Sequence, residues 1–303
     1  MQIHNNTTIP KVIIKCYAYN QEKYIRQTLD GFVMQKTNFS FVAIIHDDAS
    51  PDNTAKIIAE YAAKYPEIIK PLYEIENQYS KKDGSLFRIM ENAAAQYNAQ
   101  YTAYCEGDDY WIDPYKLQKQ VDFLESHPDY SLCFHAACIK NEAGTSFHYP
   151  EVENREYNSI ELFDNWIVPT ASIVVRSSCL NVPVDSRFIS GDIIMILNAA
   201  NKGKIWGFRN KMSVYRVQNN GLTISRLNNP ISHYKKEFNH YKAIGETFPK
   251  LTHKCINKKL ADTAINLGLC RIRKGNILGF YNILSALFLS PTKFFNRLKN
   301  IAK

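Results

Sequence analysis

The chain has 303 residues, of which 45% are hydrophobic and 22% are charged, a composition typical of a folded globular protein. Its seven cysteines form no C-x-x-C pair and most lie in apolar runs, which indicates reduced core thiols rather than disulfides or zinc ligands and favours a reducing cytosol. The opening residues, MQIHNNTTIPK, lack the basic region and apolar stretch of a signal peptide, so secretion is not expected.

The net charge of +8 is unevenly distributed along the chain. Residues 229–303 hold 14 lysines and arginines against three acidic residues, a net charge of +11, which leaves −3 for residues 1–228. This distribution argues against a nucleic-acid-binding core. We expect the basic C-terminal region either to face an anionic surface, with membrane lipid the first candidate, or to form a solvated helical face.

Strand and helix patterns alternate through the first 126 residues. The predicted strands are VIIKCY (12–17), FSFVAIIHDD (39–48), IIKPLYEI (68–75) and YTAYC (101–105). The predicted helices run to Met34 from a cap at Asn20, follow the Ser50-Pro51 pair, lie near 85–97, and follow Asp113-Pro114. This alternation predicts an α/β domain with a mostly parallel sheet, flanking helices and a ligand site at the carboxyl ends of the strands.

The second half of the chain completes the domain and then becomes helical. SLCFHAACI, TASIVVR (170–176) and KMSVYRV (211–217) are predicted strands, with a helix near 192–202. Helices are predicted at 233–246, 253–273, 276–289 and 291–302. The predicted organisation is a catalytic domain over residues 1–228 and a basic helical region over residues 229–303.

An uncharged stretch, GNILGFYNILSALFLSPT, separates Lys274 from Lys293. Its strongly apolar part is shorter than the ~20 residues that a membrane-spanning helix needs. It is therefore interpreted either as an amphipathic segment on a membrane surface or as a buried helix that closes the domain.

Acidic residues gather where the fourth predicted strand ends, in the stretch YCEGDDYW (104–111). Glu106, Asp108 and Asp109 repel one another, so this cluster predicts that a cation or hydrogen-bond donors meet it. The first βα turn, YAYNQ, contains no glycine, which excludes a Rossmann dinucleotide site and a P-loop. A phosphate-bearing ligand can still be held through a hard cation such as Mg²⁺ or Mn²⁺, which binds carboxylate oxygens.

The chain resembles the family 2 glycosyltransferases in the order and spacing of three runs: PKVIIKCYAYNQEKYIRQTLDGFVMQ, IIHDDASPDNT and YTAYCEGDDYWIDPYKLQKQVDF. The resemblance continues through TASIVVR, SGDIIMILNAANKGKIWGF and MSVYRVQNNGLT and covers about residues 10–225. It implies a GT-A fold and an inverting, metal-dependent transfer of a sugar from a nucleotide diphosphate-sugar, UDP-sugar foremost, to a saccharide or lipid-linked acceptor. Such enzymes commonly build bacterial surface polysaccharide, lipopolysaccharide or capsule, which implies a cytoplasmic location, peripheral on the inner face of the plasma membrane.

The resemblance also assigns residues to the nucleotide pocket. Asp48 corresponds to the group that accepts a hydrogen bond from the base of the donor, and the Tyr17-Ala18-Tyr19 turn would pack beside that base. Glu22 and Asn77 are expected to line the pocket. Standing alone, Asp47 and Asp48 would be interpreted as a turn with a helix cap.

The metal and the proton transfer are assigned in the same way. Asp108 corresponds to the metal ligand, Glu106 is expected near the ribose or a metal-bound water, and Gly107 fits a close backbone approach to a ligand. Asp192 resembles the catalytic base, although a lone aspartate there would be interpreted as a helix cap. Gln218 stands where many members have histidine, so its contact with the metal is left open.

Two alternatives remain from the sequence. A sugar nucleotidyltransferase would open with a glycine-rich basic loop, which the YAYNQ turn does not provide. A non-catalytic sugar-nucleotide or carbohydrate-binding module with a degenerate site is favoured by Gln218 and opposed by the joint presence of Asp48, Asp108 and Asp192.

Overall fold

The computed structural model describes residues 9–142, 144, 149–218 and 229–301, and these residues fall into two compact units. We call the first the sheet unit; it comprises the chain up to Tyr157, Ile167–Leu180 and Lys202–Val217. The second, the helical unit, comprises Asn158–Trp166, Asn181–Asn201 and the chain from Gln218 onward. The predicted domain boundary at residue 228 stays a prediction. The opening residues MQIHNNTT and the NNGLT stretch of the family resemblance lie outside the described residues.

The described strands of the sheet unit form one sheet. They are β1 (Val12–Ala18), β2 (Phe41–Asp47), β3 (Ile69–Tyr73), β4 (Tyr101–Tyr104), β5 (Tyr110–Trp111), β6 (Tyr130–Asn141), β7 (Arg155–Tyr157), β8 (Val174–Arg176) and β9 (Lys204–Val217). Their order in the sheet is β3-β2-β1-β4-β8-β6-β9-β5, and β7 pairs with β9.

The sheet is mixed. Strands β3, β2, β1 and β4 pair in parallel, as do β6 and β9, whereas β8 pairs antiparallel with β4 and β6, and β5 and β7 pair antiparallel with β9. Four helices flank it: α1 (Ile25–Val33), α2 (Thr54–Lys64), α3 (Ser85–Ala95) and α4 (Lys116–Ser126). The predicted α/β class with flanking helices is confirmed, and parallel pairing covers the β3-β2-β1-β4 half and the β6-β9 pair.

Three predicted helix starts were wrong by two to four residues. Asn20 has a left-handed φ of 55° and so cannot cap a helix; α1 begins only at Ile25. The hydroxyl of Ser50 accepts a hydrogen bond from the Asn20 amide (2.9 Å) instead of capping α2. Asp113 accepts from the Tyr115 amide (2.8 Å) in a turn before α4. These polar side chains hold the loops rather than the helix ends.

Apolar side chains on α1 and α4 pack against the sheet at the positions that the helical periodicity predicts. The predicted positions are fully buried: Ile25, Leu29, Phe32, Leu117, Val121 and Leu124. Trp111 on β5 packs edge-on against Phe32, with ring centroids 5.0 Å apart, and its indole N–H donates to the carbonyl of Ala171 (2.8 Å). Core packing therefore holds β5, the short strand that follows the acidic stretch, in place.

The helical unit contains α5 (Ser159–Asp164), α6 (Gly191–Lys202), α7 (Pro230–Thr247), α8 (His253–Arg273), α9 (Leu278–Leu289) and α10 (Pro291–Ile301), apart from the last residue of α6. The predicted apolar positions of α8 are buried: Ile256, Leu260, Ala264 and Leu267. Two of them, Ile256 and Leu260, belong to a core shared with α6 and α7, around Ile194, Leu197 and Ile244. Across the described residues, no helix is both long enough and apolar enough to span a membrane.

Candidate active site

The parallel half of the sheet brings three polar loops together at the carboxyl ends of β1, β2 and β4. The Asp48 amide donates to the carbonyl of Ala18 (3.0 Å), and the Gly107 amide donates to the carbonyl of Tyr17 (2.9 Å). The loop after β3 joins them, because the Glu74 amide donates to the carbonyl of Asp47 (3.0 Å). This convergence is the one that parallel strands produce at a shared edge.

Asp48 is buried, and its carboxylate organises the loop after β3. One carboxylate oxygen accepts from the Gln78 amide (2.6 Å) and the other from the Tyr79 amide (3.0 Å). Asn77 donates its side-chain N–H to the Asp48 carbonyl (3.1 Å) and accepts from the Ser80 amide (2.8 Å). Both predicted pocket residues therefore lie together, and each holds loop backbone in place.

Glu22 and the Tyr17-Ala18-Tyr19 turn lie at the end of β1. The Glu22 carboxylate accepts from the backbone and side-chain nitrogens of Asn53 (3.0 and 2.8 Å), which joins the loops after β1 and β2. Tyr17 packs edge-on against His46, with centroids 6.0 Å apart, while Tyr19 is 48% exposed. Burial, together with nearby Tyr104 and acidic side chains, raises the pKa of Tyr17 well above its usual range. The turn thus offers one half-buried and one accessible ring.

Gly107 is needed because the acidic loop passes close to the end of β1. A Cβ at this position would lie 2.0 Å from the side-chain oxygen of Gln21 and 3.1 Å from the side chains of Ala18 and Ile25. The Thr28 hydroxyl lies within hydrogen-bond distance of the carbonyls of Gly107 and Asp109 (2.9 and 2.6 Å). The close neighbours of this glycine are therefore protein groups, and Thr28 of α1 holds the loop through its hydroxyl.

Electrostatic repulsion and burial make the acidic loop unfavourable by itself. Burial raises the pKa of Asp108, against the opposing effects of backbone hydrogen bonding and the charge of Arg216. Burial, followed by the charge of Asp108, raises the pKa of Asp109 well above its usual range, and Glu106 adds to the effect. A cation bound beside Asp108 would offset the cost of burying these carboxylates and the repulsion between them.

Arg216 supports the acidic loop and was missed as a site residue in the sequence. Its guanidinium donates to the carbonyl of Asp108 and to the side chain of Gln27, and it lies 4.4 Å from the ring centroid of Tyr110. Its backbone amide donates to the Asp109 carboxylate (2.8 Å). The sequence signal was an arginine inside the otherwise apolar end of β9, where a buried cation needs partners.

Two buried acceptor atoms at the same edge of the sheet were also missed. Within the described part of the chain, the side-chain oxygen of Gln21 and one carboxylate oxygen of Asp47 have no hydrogen-bond partner. The other Asp47 oxygen accepts from the Ser50 amide (3.3 Å). Buried acceptors are costly unless a donor reaches them, so these atoms indicate where a ligand with N–H or O–H groups could bind.

The described residues do not form a complete protein cage for a metal. Over residues 9–142, 144, 149–218 and 229–301, no group of three or more His, Cys, Asp or Glu side chains converges to hold an ion. Mg²⁺ and similar ions are often held by one or two carboxylates, with water and substrate phosphates as the other ligands. The partly buried Asp108, whose pKa is raised by burial, fits that arrangement.

Asp192 and Gln218 belong to the helical unit and are described with it. Asp192 lies in the first turn of α6, where one carboxylate oxygen accepts from the Ser190 hydroxyl (2.5 Å) and from the Ile193 amide (3.0 Å). It therefore makes the local contacts of a helix start, and its proton-transfer role stays a prediction. Gln218 follows directly on β9 and is half-buried.

Sequence comparison identifies the family. The sequence profile of Glycosyl transferase family 2 matches residues 12–180, more than half of the chain, and the chain belongs to this family. A relative, the uncharacterized protein Rv1520 of Mycobacterium tuberculosis, is 37% identical over 207 residues. The match covers 68% of this chain and 58% of the relative, so the chain spans little more than half of that relative's length.

Solved structures agree with this fold. Staphylococcus aureus TarS 1–349 in complex with UDP-GlcNAc superposes with a TM-score of 0.57 at 15% identity, over 96% of this chain and 92% of TarS. The mannosyltransferase PcManGT of Pyrobaculum calidifontis, in complex with GDP-Man and Mn²⁺, gives a TM-score of 0.56 at 15% identity, over 93% and 81% of the two chains. At this identity the likeness establishes the GT-A fold of the chain.

Proposed function

We propose that the protein transfers a glycosyl group from a nucleotide diphosphate-sugar to a hydroxyl group, with inversion at the anomeric carbon. The observation that carries this proposal is the acidic loop: its partly buried Asp108 follows Gly107, whose amide donates to the end of β1, at the edge where α/β folds bind ligands. Family membership supplies the reaction class. TarS in complex with UDP-GlcNAc supports a UDP-sugar as the first donor to test.

The donor's nucleotide is assigned to the loops after β1, β2 and β3. Carboxylate oxygens accept more than one hydrogen bond, so Asp48 keeps capacity for the N–H of a base while it holds the loop amides. Within the described residues, the unpartnered side-chain oxygens of Asp47 and Gln21 supply further acceptors. Tyr19 offers an accessible ring for the base. Glu22 and Asn77 hold the surrounding loops in place through hydrogen bonds.

Asp108 is the proposed ligand of a divalent cation, Mn²⁺ or Mg²⁺, with Glu106 close by and Gln218 as a further candidate. When bound, such an ion stabilises the negative charge that develops on the departing nucleoside diphosphate. Thr28 and Gly107 keep the acidic loop in place, and Arg216 limits the repulsion among its carboxylates. The complex of PcManGT with GDP-Man and Mn²⁺ supports this cofactor class.

Asp192 is the proposed general base. Its Oδ1 is held by Ser190 and by the start of α6, so Oδ2 is the oxygen that we assign to the proton. It removes the proton from the acceptor hydroxyl while the oxygen attacks the anomeric carbon and the bond to the diphosphate breaks. Base assistance of this kind contributes about 10²- to 10⁴-fold in rate. One displacement inverts the configuration and needs no enzyme nucleophile.

We further propose a saccharide or lipid-linked acceptor and a role in bacterial envelope polysaccharide synthesis at the inner face of the plasma membrane. The net charge of +11 over residues 229–303 supports a location beside anionic lipid.

The proposed activity is tested by the release of nucleoside diphosphate from a panel of sugar nucleotides with Mn²⁺ present. Asp192→Asn should lower transfer at least about 10²-fold and leave nucleotide affinity nearly unchanged. Asp185→Asn, an aspartate of the same unit that pairs with Arg187 (2.6 Å), is the matched control and should keep full turnover. Unchanged turnover in Asp192→Asn would remove that residue as the base. Binding without any turnover in the wild type would favour the non-catalytic module.

A further inference from the structure

Helix α9 exposes an unusually apolar face. It contains no charged residue, and its inner side is buried at Gly279 and Ala286. The residues on the opposite side are each more than half exposed: Ile277 (just before the helix), Leu278, Phe280, Tyr281, Leu284 and Phe288. We call these six residues the α9 outer face. So many exposed large apolar side chains on one short helix indicate an interaction surface.

The packing of α9 on α8 fixes the direction of this face. A Cβ on Gly268 would lie 2.6 Å from the carbonyl oxygen of Gly279, and a Cβ on Gly279 would lie 2.5 Å from the carbonyl oxygen of Gly268. The guanidinium of Arg271 also donates to the side chain of Asn282 on α9 (2.5 Å). Because the helices meet this closely through two glycines, the opposite side of α9 is held away from α8.

Exposed positive charge lies on both sides of α9 along the chain. Arg273 and Lys274, at the end of α8, are exposed immediately before α9. On α10, which follows, Phe295 is 54% exposed and Lys299 lies one helical turn further along and is exposed as well. An apolar helix face with aromatic side chains and flanking lysine and arginine is typical of helices that lie in the membrane interface.

We propose that the α9 outer face docks on an anionic lipid membrane, with α9 lying in the plane of the interface. A helix of 12 residues is about 18 Å long, too short for a hydrocarbon core of about 30 Å, so the helix rests on the bilayer. Charge favours lipid over a second copy of the chain, since symmetric contact through this face would bring Arg273, Lys274 and Lys299 of two copies together. The inference gives the membrane contact of the proposed function a surface, and docking does not depend on transfer.

Sedimentation of the full chain with lipid vesicles tests the apolar part of the surface. Vesicles of phosphatidylcholine with phosphatidylglycerol should bind the protein, and pure phosphatidylcholine should bind it much more weakly. Phe280→Ser with Phe288→Ser should weaken binding at least about tenfold, because both rings leave the interface. Ile75→Ser with Val184→Ser changes two fully exposed apolar residues elsewhere and should have no effect. Equal binding by the two double variants would overturn the proposal.

The charged part is tested by Arg273→Gln with Lys274→Gln. Loss of two cations beside the surface should weaken binding to anionic vesicles about tenfold or more and should reduce its dependence on salt. Lys235→Gln with Lys236→Gln removes two exposed cations from α7 and serves as the matched control. If the control variant loses as much affinity, binding depends on overall charge, and the α9 face is not the docking surface.

A fluorescent probe identifies the inserted side chain. The emission of Phe288→Trp should shift to shorter wavelength with anionic vesicles, while that of Val184→Trp should stay unchanged. If ultracentrifugation instead gives a wild-type dimer that Phe280→Ser with Phe288→Ser converts to a monomer, and vesicles are not bound, the face is a contact between copies. Phe280→Ser with Phe288→Ser should release nucleoside diphosphate at the wild-type rate, so failed docking and failed catalysis are separate results.

Discussion

Two acidic loops of the sheet unit differ in how the protein treats their carboxylates. After β2, the buried carboxylate of Asp48 accepts two backbone N–H groups from the loop after β3. After β4, burial raises the pKa of both Asp108 and Asp109, and the neighbouring carboxylate adds to the effect at Asp109. The charge of Asp48 is satisfied by protein donors on both oxygens, while the second loop holds charge that a cation would stabilise.

This difference separates an acid that holds loop backbone, Asp48, from the acid that we propose to bind a cation, Asp108. Both pairs, Asp47-Asp48 and Asp108-Asp109, end or closely follow strands of the parallel half and look alike in sequence. The distinction lies in hydrogen-bond donors supplied from far along the chain, such as the amides of Gln78 and Tyr79. Replacement of Asp108 should therefore lower activity without lowering stability, whereas replacement of Asp48 should lower stability.

The largest expected effect is that of Asp108→Ala on transfer. Loss of the proposed metal ligand should lower turnover about 10³-fold, because metal stabilisation of a leaving group is worth several kcal/mol. The free energy of unfolding should stay equal or rise, since a partly buried carboxylate is removed from beside Asp109. Asp122→Ala, an exposed acid on α4, is the control for both measurements. A stable Asp108→Ala protein with full turnover would refute the assignment.

Asp48→Ala should act on stability. Its removal leaves the amides of Gln78 and Tyr79 without their acceptor, at a cost of about 1–3 kcal/mol for each buried group, so we expect about 3 kcal/mol in urea unfolding. Asp48→Asn keeps one carbonyl oxygen and should lose about half as much. Glu76→Ala breaks only the exposed pair with Lys81 and should cost less than about 1 kcal/mol. An Asp48→Ala protein as stable as Glu76→Ala would contradict the structural role.

Much of the fold could be predicted because local patterns and the observed packing agree. The helical spacing of Leu117, Val121 and Leu124 identified the buried side of α4, and the apolar runs located β1, β2 and β4. The starts of α1 and α2 were wrong because the Asn20 amide donates to the Ser50 hydroxyl across two loops, and the start of α4 was wrong because Asp113 forms a turn. A cap and a loop contact use the same residue types, so only the tertiary partner decides between them.

The candidate site could be predicted only where it depends on strand ends. Parallel strands align their carboxyl ends, which placed Asp48 beside Ala18 and Gly107 beside Tyr17. Arg216 could not be assigned in this way, because it reaches the acidic loop through the antiparallel pairing of β5 with β9, which sets Tyr110 opposite Val214. That pairing joins residues more than a hundred positions apart and has no local sequence signal.

Lys116 tests the effect of a buried charge of opposite sign close to the acidic loop. Burial lowers its pKa to about 7, while the unfolded chain keeps the ordinary value of 10.5. Between these values the unfolded state binds more protons, so the free energy of unfolding should rise with pH, by up to about 1.4 kcal/mol per pH unit. Urea unfolding from pH 7 to 8 measures this slope and stays below the usual cysteine pKa.

Lys116→Met should abolish this slope, and Lys119→Met, which removes a half-exposed lysine paired with Asp113, should keep it. Because Met cannot donate to the side chain of Gln120 (2.7 Å in the wild type), some stability is expected to be lost at every pH. The slope, rather than the absolute stability, therefore identifies the buried amine. An equal slope in wild type and Lys116→Met would assign the titration to another group.

The smallest expected effect is that of replacing Arg216. It should change metal binding at the acidic loop after β4 and leave the loop after β2 unchanged. The charge of Arg216 lowers the pKa of Asp108 and Asp109, so Arg216→Gln should raise both pKa values further and protonate the proposed metal ligand at a higher pH. Since a metal binds the deprotonated carboxylate, affinity for nucleoside diphosphate with Mn²⁺ should fall about tenfold, and its decline on acidification should begin at higher pH.

Arg216→Lys keeps the charge but loses the planar contact with Tyr110 and the second donor. Calorimetric titration across pH distinguishes the two contributions: the acid decline should move in Arg216→Gln and stay near the wild-type position in Arg216→Lys, even if both variants bind more weakly. If both variants move the decline equally, Arg216 acts by shaping the loop. If neither moves it, Asp108 is not the group whose protonation limits binding. Because Asp48 is held by amides of the loop after β3, its contribution to stability should be the same in all three proteins.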